Sequence, residues 1–403
     1  MSFQHGLSGL SAAAKNLDVI GNNVANANTV GAKSSRAEFA DLYANSLTGL
    51  SAATTGIGVA VSSVAQQFTQ GDIVSTQNPL DMAINGRGFF RVSQEGVTQY
   101  TRNGQFRMDK DGYIVTAQGA RLTGYQIDTT GVVSNGTPTD LRISTADISP
   151  KATANTRAQL NLDARDTPIT AAFNSTNPTT YHSAMSMSVY DSLGRDHQVT
   201  LFYRKTAGNT WEVRASADGT DIPGVAATLN FSSAGLVTSP TGPFNLTIPV
   251  GADAGNSMTF GIDLTNATQF GASFATTEIT QDGYGTGRLS GFTADDSGML
   301  IGRYSNGQTR PQGQIVLANF VNPQGLVPLG NNVWVEGAGA GQPTLGAPGS
   351  GILGSLEAGA VENSNVDLTS ELVNMITAQR VYQANAQTIK THDQLLQTIV
   401  NLR

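Results

Sequence analysis

The sequence predicts a multidomain, mainly β protein with α-helical termini, built from nested discontinuous domains. Its 403 residues are enough for two or three domains that each have a core. It contains 45 glycines and only 13% charged residues, a mixture typical of β-rich domains with many tight turns. Apolar residues recur at helical spacing at both ends of the chain, which predicts a helix at each terminus.

The composition also excludes several classes of function. A net charge of −7 and an isoelectric point near 5.1 argue against nucleic acid as a partner. The absence of cysteine excludes disulfides, thiolate catalysis and cysteine-bound metals. No apolar run approaches the ~18 residues of a membrane span, and the N-terminus lacks the features of a cleaved signal peptide. We therefore expect no membrane insertion, and a location in the cytosol or export without cleavage.

The C-terminal segment 364–403 predicts one long amphipathic helix, since it contains neither proline nor glycine. Thr369 and Ser370 are candidate caps, and Glu371 lies where a carboxylate suits the helix dipole. Neutral polar residues, among them Gln383, Gln387 and Gln394, fall outside the apolar stripe. The residues of the stripe follow a spacing of three and four: Leu368, Leu372, Met375, Tyr382, Ala386, Ile389, Leu396 and Val400.

Residues 1–28 predict the second terminal helix, which carries few charges. Its glycines would weaken an isolated helix by about 1 kcal/mol each relative to alanine. Neither helix has a domain of its own to cover its apolar side, so the composition leaves open an intramolecular helical hairpin, an obligate dimer and a polymer. The apolar positions at helical spacing include Phe3, Leu7, Leu10, Leu17, Ile20 and Val24.

The segments next to the helices, 29–71 and 345–363, are expected to be linkers. The first is rich in Gly, Ala, Ser and Thr. Within it, residues 37–43 suggest one or two helical turns, and Val59, Val61 and Ser63 alternate as a strand does.

An inner β-domain is predicted from residues 72–145 together with 285–344. Short strands at 88–92 and 97–102 are followed by Asn103-Gly104, a dipeptide typical of tight hairpins. Further strands are expected at 113–115 and 122–127. Strands at 299–304, 314–320 and 333–335 would return to the same sheet, with a turn at Asn306-Gly307 between the first two.

The segment between these halves, 146–284, predicts an inserted outer β-domain. Alternating residues around 185–190, 199–203 and 211–215 indicate a three-stranded meander with one buried face. Two further strands are expected at 244–248 and 258–264. The predicted nesting therefore has terminal helices outermost in sequence, 1–28 with 364–403, then linkers, inner β-domain and insert.

Several runs of this chain resemble the bacterial flagellar hook protein family, which belongs to the rod and hook axial proteins. The run from Asn16 to Asn28, N-L-D-V-I-G-N-N-V-A-N-A-N, is similar to their shared N-terminal signature. The residues S-N-V-D-L from Ser364, with E-L-V-N-M-I from Glu371, resemble the C-terminal signature. Similar β-domain motifs are G-F-F at Gly88, Y-T-R-N-G at Tyr100 and Q-I-V-L-A-N-F at Gln314.

This resemblance implies a helical homopolymer without cofactors. In such a tube, terminal helices form the inner layers around an export channel, β-domains form the outer shell, and the hook acts as a flexible joint that passes motor torque from the basal-body rod to the filament. It also implies a distal rod protein, a hook cap, a hook-filament junction protein and the flagellar export apparatus as partners, and a place outside the cell. If the resemblance holds, Gln383, Gln387 and Gln394 are expected to border the channel.

No catalytic constellation is recognisable, so no enzymatic activity is predicted. Residues 349–354 spell G-x-G-x-x-G, but prolines precede the motif and no βαβ unit surrounds it, which favours a tight connection. The four histidines lie in separate segments. Asp109 and Asp295 begin short calcium-loop-like runs that lack the later Glu, which favours β-turns.

Two other functions remain open on the sequence. One is a distal rod-type axial protein, although rod proteins resembling the outer parts generally lack so large an insert. The other is a β-rich cell-surface binding module that uses its helices only to oligomerise. That module would need a groove with clustered aromatic residues in 146–284. Trp211, Tyr190 and Tyr203 are too few to predict one.

Overall fold

The computed structural model describes residues 2–42, 56, 58–128, 131–134 and 136–401, with residues 2, 3 and 399–401 described by their backbone alone. The chain divides into two compact units. The first consists of residues 1–145, 291–303 and 309–403, and the second of residues 146–290 and 304–308. The second unit is thus inserted between segments of the first.

Two long helices lie at the ends of the described chain, both in the first unit. They are α1, Ser2–Ala25, and α2, Leu368–Asn401. Both predicted terminal helices are therefore present. Three short 3-10 turns occur at Pro178–Thr180, Ala252–Ala254 and Pro323–Gly325.

The strands that precede the second unit form hairpins and a sheet. In order they are β1 Ser35–Leu42, β2 Gly58–Gln66, β3 Ile73–Ser75, β4 Met82–Asn85, β5 Phe89–Gln94, β6 Val97–Thr101, β7 Arg107–Met108, β8 Ile114–Val115, β9 Arg121–Tyr125 and β10 Thr139–Asp140.

The strands of the second unit follow. They are β11 Asn155–Asp163, β12 Ser183–Tyr190, β13 Asp196–Ala207, β14 Thr210–Ala217, β15 Thr220–Asp221, β16 Ala227–Phe231, β17 Val237–Ser239, β18 Phe244–Pro249, β19 Ser257–Asp263, β20 Thr268–Phe270 and β21 Ala275–Gln281.

The remaining strands return toward α2. They are β22 Leu289–Ala294, β23 Met299–Tyr304, β24 Thr309–Ile315, β25 Leu317–Asn319, β26 Val327–Gly330, β27 Val333–Val335, β28 Thr344–Gly346, β29 Ser355–Ala358 and β30 Ala360–Glu362.

The first unit is organised around a 13-stranded sheet whose main path is β22-β23-β24-β9-β5-β6-β27-β26. Strands from late in the chain pair with early ones: β25 lies antiparallel to β5, and β27 to β6. The predicted return of the later strands to the sheet that begins at Phe89 is therefore observed. Aromatic rings pack edge to face beneath it, among them Phe89, Tyr100, Phe320 and Trp334.

The second unit contains a six-stranded and a five-stranded sheet that share one buried core. The predicted meander is confirmed, because β12, β13 and β14 pair antiparallel in sequence order. Trp211 is fully buried in this core, and its indole Nε1 donates a hydrogen bond to Gln269 at 3.0 Å. The burial of Met185, Met187 and Val189 follows the predicted alternation.

Two local predictions were wrong. Residues 37–42 form part of strand β1 and not a helical turn, because the segment pairs antiparallel with β2; Tyr43 lies outside the described residues. The 29–71 segment, expected to be a linker, thus contains a paired hairpin. The other expected linker, 345–363, likewise contains β29 and β30, which pair with β4 and β3.

The second wrong prediction is the tight hairpin at Asn103-Gly104. Neither residue has a positive φ, and the chain continues past Met82 instead of folding back on β6. The amide of Met82 donates to the Gly104 carbonyl at 3.0 Å, and a Cβ on Gly104 would overlap the Met82 carbonyl. Glycine is required here by this close approach and not by a primed turn.

Three other predicted turns are confirmed. In the turns at 109–112 and 295–298, the aspartate Oδ1 accepts hydrogen bonds from backbone amides two and four residues later, as in Asx turns. Gly307, with φ of 79°, lies in the turn between β23 and β24. Residues 349–354 form a compact connection in which the Gly349 amide bonds to the Gly354 carbonyl.

Candidate assembly interface

The terminal helices α1 and α2 pack antiparallel against each other. Early residues of α1 meet late residues of α2: a Cβ added at Gly6 would lie 3.0 Å from Ile389 Cγ1, and one at Gly9 would lie 2.8 Å from Asn385 Oδ1. At the other end, Asn23 donates to Glu371 at 3.1 Å. Two of the three glycines that weaken α1 as an isolated helix therefore allow α2 to approach closely.

The face of α2 toward α1 is rotated from the predicted stripe. It contains Ile389 of that stripe, together with Ala378, which is 4% exposed, and Asn385. The polar positions are tolerated because Asn385 packs on glycine. Consequently part of the apolar stripe points away from α1.

The predicted seam residues of α1 differ in burial. Ile20 is buried, Leu7 is 52% exposed, and the Phe3 side chain lies outside the described residues. The remaining three are half-buried: Leu10, Leu17 and Val24.

The predicted seam residues of α2 are mostly exposed in the single chain. Met375 and Ile389 are half-buried, and the Val400 side chain lies outside the described residues. The exposed members are Leu368, Leu372, Tyr382 and Leu396. Gln383, Gln387 and Gln394 are also exposed.

Helix α2 begins at an N-cap that the sequence analysis did not identify. The Asp367 Oδ1 atom accepts hydrogen bonds from the amides of Thr369, at 2.9 Å, and Ser370, at 3.2 Å. Thr369 and Ser370, predicted as caps, are therefore capped residues. The carboxylate also suits the positive end of the helix dipole.

Hairpin β1-β2 is fixed to both ends of α1. Near the start of α1, Ser8 accepts a hydrogen bond from the Val59 amide at 3.3 Å. Near its end, the Asn23 side chain donates to the Ser35 carbonyl and accepts from the Ser35 amide, both at 2.8 Å. Since Asn23 also contacts Glu371, one buried amide joins α1, β1 and α2.

A second asparagine, Asn365, holds the base of the hairpin to the start of α2. Its Oδ1 accepts from the Ser34 amide at 2.7 Å, and its Nδ2 donates to the Gln67 carbonyl at 2.8 Å. Asn23 and Asn365 belong to the two signature runs. In this structure their side chains form hydrogen bonds with backbone amides and carbonyls at a point where three segments meet.

A buried charge cluster lies close to this junction. Glu362 accepts from Lys33 at 2.6 Å and from Arg102 at 3.0 Å, and all three side chains are at most 4% exposed. Burial lowers the pKa of Lys33 and of Arg102, while the Glu362 carboxylate acts in the opposite direction. Glu362 also accepts from the Gly71 amide at 2.9 Å. We call Lys33, Arg102 and Glu362 the root cluster.

Residue spacing did not predict the root cluster or the contacts made by Asn23 and Asn365. Lys33, Arg102 and Glu362 are far apart in sequence, and no periodic pattern connects them. Their one signal is that charged residues are rare in this chain, at 13%. A charged residue within a motif of an otherwise neutral segment is therefore a candidate member of a buried ion pair.

The described residues show a structural junction without recognisable catalytic geometry. Among them, no group of three or more His, Asp or Glu side chains is placed to hold a metal ion. His5 contacts the Gly56 carbonyl, and His197 contacts Asp218 and Asp191. No helix in the described part of the chain is long and apolar enough to cross a membrane.

Four family models match successive parts of the chain. They are Flagella basal body rod protein at residues 3–33, Flagellar hook protein FlgE/F/G D1 domain at 83–157, Flagellar basal body protein FlaE D2 domain at 161–284, and Flagellar basal body rod FlgEFG protein C-terminal at 357–402. Together they cover both termini and much of both β-rich regions.

Full-length relatives are similar throughout. The chain is 43% identical to the flagellar hook protein FlgE of Escherichia coli and 41% identical to that of Salmonella typhimurium, with complete coverage of both chains in each case. It is 34% identical to that of Borreliella burgdorferi, over 100% of this chain and 99% of the relative. A crystal structure of Helicobacter pylori flagellar hook protein FlgE2 shares the fold, with a TM-score of 0.51, 14% identity, and coverage of 70% of this chain and 99% of that chain.

Proposed function

Since the chain belongs to the flagellar hook protein family and is a structural subunit of the bacterial flagellar hook, we propose that its copies assemble through α1 and α2 into a flexible tube. Similarity to hook proteins over the whole chain favours this role over a distal rod protein or a cell-surface binding module. Its homologues are structural proteins, which implies a non-enzymatic role.

The observation that carries the proposal is the number of large apolar side chains that α2 exposes to water on more than one side of the helix. Each is at least 37% exposed although α2 already packs on α1. Burial of apolar surface is favourable by about 25 cal/mol per Å2, and so many exposed apolar side chains on one helix indicate that it has further interaction surfaces. The residues are Leu368, Leu372, Val373, Ile376, Val381, Tyr382, Leu395 and Leu396.

Within this tube, the terminal segments 1–28 and 364–403 form the inner layer. Segments 29–71 and 345–363, which contain paired strands, connect it to the inner β-domain, 72–145 with 285–344, and to the outer insert, 146–284. Gln383, Gln387 and Gln394 lie on the same face of α2 as Leu372 and Ile376. We place contacts between copies at the start of this face, and these glutamines along the export channel in the later turns of the helix. Their exposure supports this placement, as does the self-contained polarity of the helix, in which Thr388, Thr391 and other residues bond to backbone carbonyls four residues earlier.

The tube joins the basal-body rod to the filament and transmits motor torque between them. We further propose the distal rod protein, the hook cap and the hook-filament junction protein as its neighbours, and the flagellar export apparatus as its route out of the cell without cleavage of a signal. Family membership supports these partners, since the rod-type models match both ends of the chain.

The test compares Leu372→Asp with Met375→Asp by electron microscopy of polymerised protein. Leu372→Asp should leave the α1-α2 pair folded, because Leu372 is 49% exposed, yet abolish tubes by placing a charge in an intermolecular seam. Met375→Asp should also lower the helix content of the monomer. Leu372→Met is the matched control and should polymerise. Tubes of normal length from Leu372→Asp would overturn the proposal.

A further inference from the structure

An apolar groove runs along the helix pair in the first unit. Its floor includes Ala12 and Ile20 of α1, one wall includes Ala378 and Val381 of α2, and the other includes Phe39 and Val59 of hairpin β1-β2. Its volume is about 600 Å3. Phe39 and Val381 are 43% and 48% exposed, so the walls remain open to a further side chain.

An apolar ridge lies on a different side of α2. It consists of Leu372, Val373 and Ile376, which are 49%, 59% and 52% exposed. At 100° per residue, the centre of this ridge is about 160° around the helix axis from the groove wall formed by Ala378 and Val381. A chain therefore cannot place its own ridge in its own groove.

We propose that the ridge of one copy enters the groove of the next copy in the assembled hook. This inference rests on the proposed function and identifies the two surfaces that meet. The groove and the ridge occupy the same level of α2, since the groove also contacts Asn374 and Thr377. Helix pairs can therefore dock side by side with little shift along their axes.

The contact is heterologous, because two different surfaces of the same chain meet. Such a contact leaves one free ridge and one free groove after every addition, so it continues from copy to copy. A side-by-side contact of this kind builds the circumference of a tube. A self-complementary contact would instead stop at a dimer.

The chemistry of the two surfaces matches. Branched aliphatic side chains meet the alanine, valine and isoleucine side chains of a groove that also contains neutral polar residues, and the ridge itself carries no charge. Of the charged residues at the groove, Glu371 accepts a hydrogen bond from Asn23, and the Arg36 side chain is 73% exposed. Docking at Ala12 and Ile20 therefore requires no unpaired charge to be buried.

Disulfide cross-linking tests the contact, because the chain has no cysteine of its own. Val59→Cys with Ile376→Cys places one thiol on a groove wall and one on the ridge. Mild oxidation of assembled tubes should give a ladder of covalent dimers, trimers and larger multimers. Either single variant should give no ladder. The matched control is Val59→Cys with Leu395→Cys, since Leu395 is similarly exposed, at 54%, but lies off the ridge.

The outcomes separate this inference from the proposed function. If wild-type protein forms no tubes, the proposed function fails. If the cysteine variants form tubes but give no ladder, or give a disulfide within one chain, the ridge-to-groove contact is overturned. Cross-links from the groove to residues 43–55 of the same chain in a second cysteine scan would likewise contradict it.

A second design covers failure of the double variant to assemble. Val59→Cys and Ile376→Cys chains can be incorporated together as minorities in wild-type tubes, where the contact predicts covalent dimers that contain one chain of each type. Phe39→Cys and Val373→Cys provide an independent pair. Absence of mixed dimers from both pairs in intact tubes would overturn the proposal.

Discussion

At the scale of single residues, three buried charged side chains connect distant segments of the chain. Lys33 and Arg102 meet Glu362 with almost no access to water. Burying a charge is costly unless it is paired and hydrogen-bonded. The cluster therefore fixes the place where the exit from α1, the sheet of the first unit and the approach to α2 meet, because separating its members would leave the buried Glu362 carboxylate without its two cations.

Glu362→Gln should destabilise this junction strongly. Two buried cations would lose their counter-charge, and removing one partner of a buried pair costs about 3–5 kcal/mol. Hydrogen exchange at the amides of Gly31 and Gly71 measures the effect, since both bond to Glu362. Glu357→Gln, at an exposed position, should leave exchange unchanged. Wild-type protection in Glu362→Gln would contradict a stabilising function of the cluster.

The second unit should lose stability as pH rises through the titration of His197. Its ring lies 2.7 Å from Asp218 and 3.5 Å from Asp191. Burial lowers the pKa of His197, but these carboxylates outweigh it and raise the pKa above 6.5. The protonated ring therefore contributes stability that is fully present below about pH 6.5 and is lost above the folded pKa. Arg195 also faces Asp191 and bonds to Asp253.

Thermal unfolding between about pH 5.5 and pH 8.5 measures this dependence, with Trp211 fluorescence as the probe in a Trp334→Phe background. Those are the two tryptophans of the chain. His197→Gln should remove the loss of stability over this range. An equal pH dependence in wild type and in His197→Gln would show that another group is responsible.

At the scale of elements, the terminal region is a three-part structure of α1, α2 and hairpin β1-β2. Helix α1 binds the hairpin at two places: Ser8 contacts strand β2 and Asn23 contacts the start of strand β1. Helix α2 begins where Asp367 caps it and Asn365 ties it to the hairpin base. Each contact satisfies a backbone group that the end of an element would leave unpaired.

Asp367→Ala should weaken the start of α2. Loss of an N-cap typically costs about 1 kcal/mol of stability. Circular dichroism of the monomer should show lower helix content and an earlier thermal transition. Thr369→Ala is the matched control, because its side chain is not the cap. A larger loss from Thr369→Ala than from Asp367→Ala would contradict this assignment.

At the scale of the whole molecule, the elements proposed to build the tube all belong to the first unit, and the second unit is an insertion with adjacent ends. The Ile148 amide donates to the Gly287 carbonyl at 2.8 Å, and the Lys151 amide donates to the Tyr284 carbonyl at 2.9 Å. A short linker can therefore replace the insert without stretching the first unit.

Replacing residues 147–289 by a short Gly-Ser linker should preserve tube formation but alter flexibility or curvature. Helices α1 and α2, the hairpin and the root cluster all remain in the shortened chain. Electron microscopy of the tubes measures their curvature and length. The same deletion combined with Leu372→Asp should form no tubes. Deleted tubes that bend and curve like wild type would contradict a mechanical function of the insert.

The sequence by itself determined the element types where the signal is local. Helical spacing located both terminal helices, alternation located the meander, and Asp-x-x-Gly runs located two turns. It failed at Asn103-Gly104, where a contact with Met82 decides the backbone, and at residues 37–42, where pairing with β2 overrides weak local preferences.

Only the tertiary structure decided which side of α2 contacts α1 and which charged residues form ion pairs. Lys33 and Glu362 are 329 residues apart in sequence, and Asn23 and Glu371 are 348 apart. Periodicity reports which residues share one face of an element, but the partner of that face depends on close packing with distant segments. Gly6 and Gly9 allow α2 to face α1 with Ala378 and Asn385. In this orientation the ridge at Leu372 stays exposed and available to another copy.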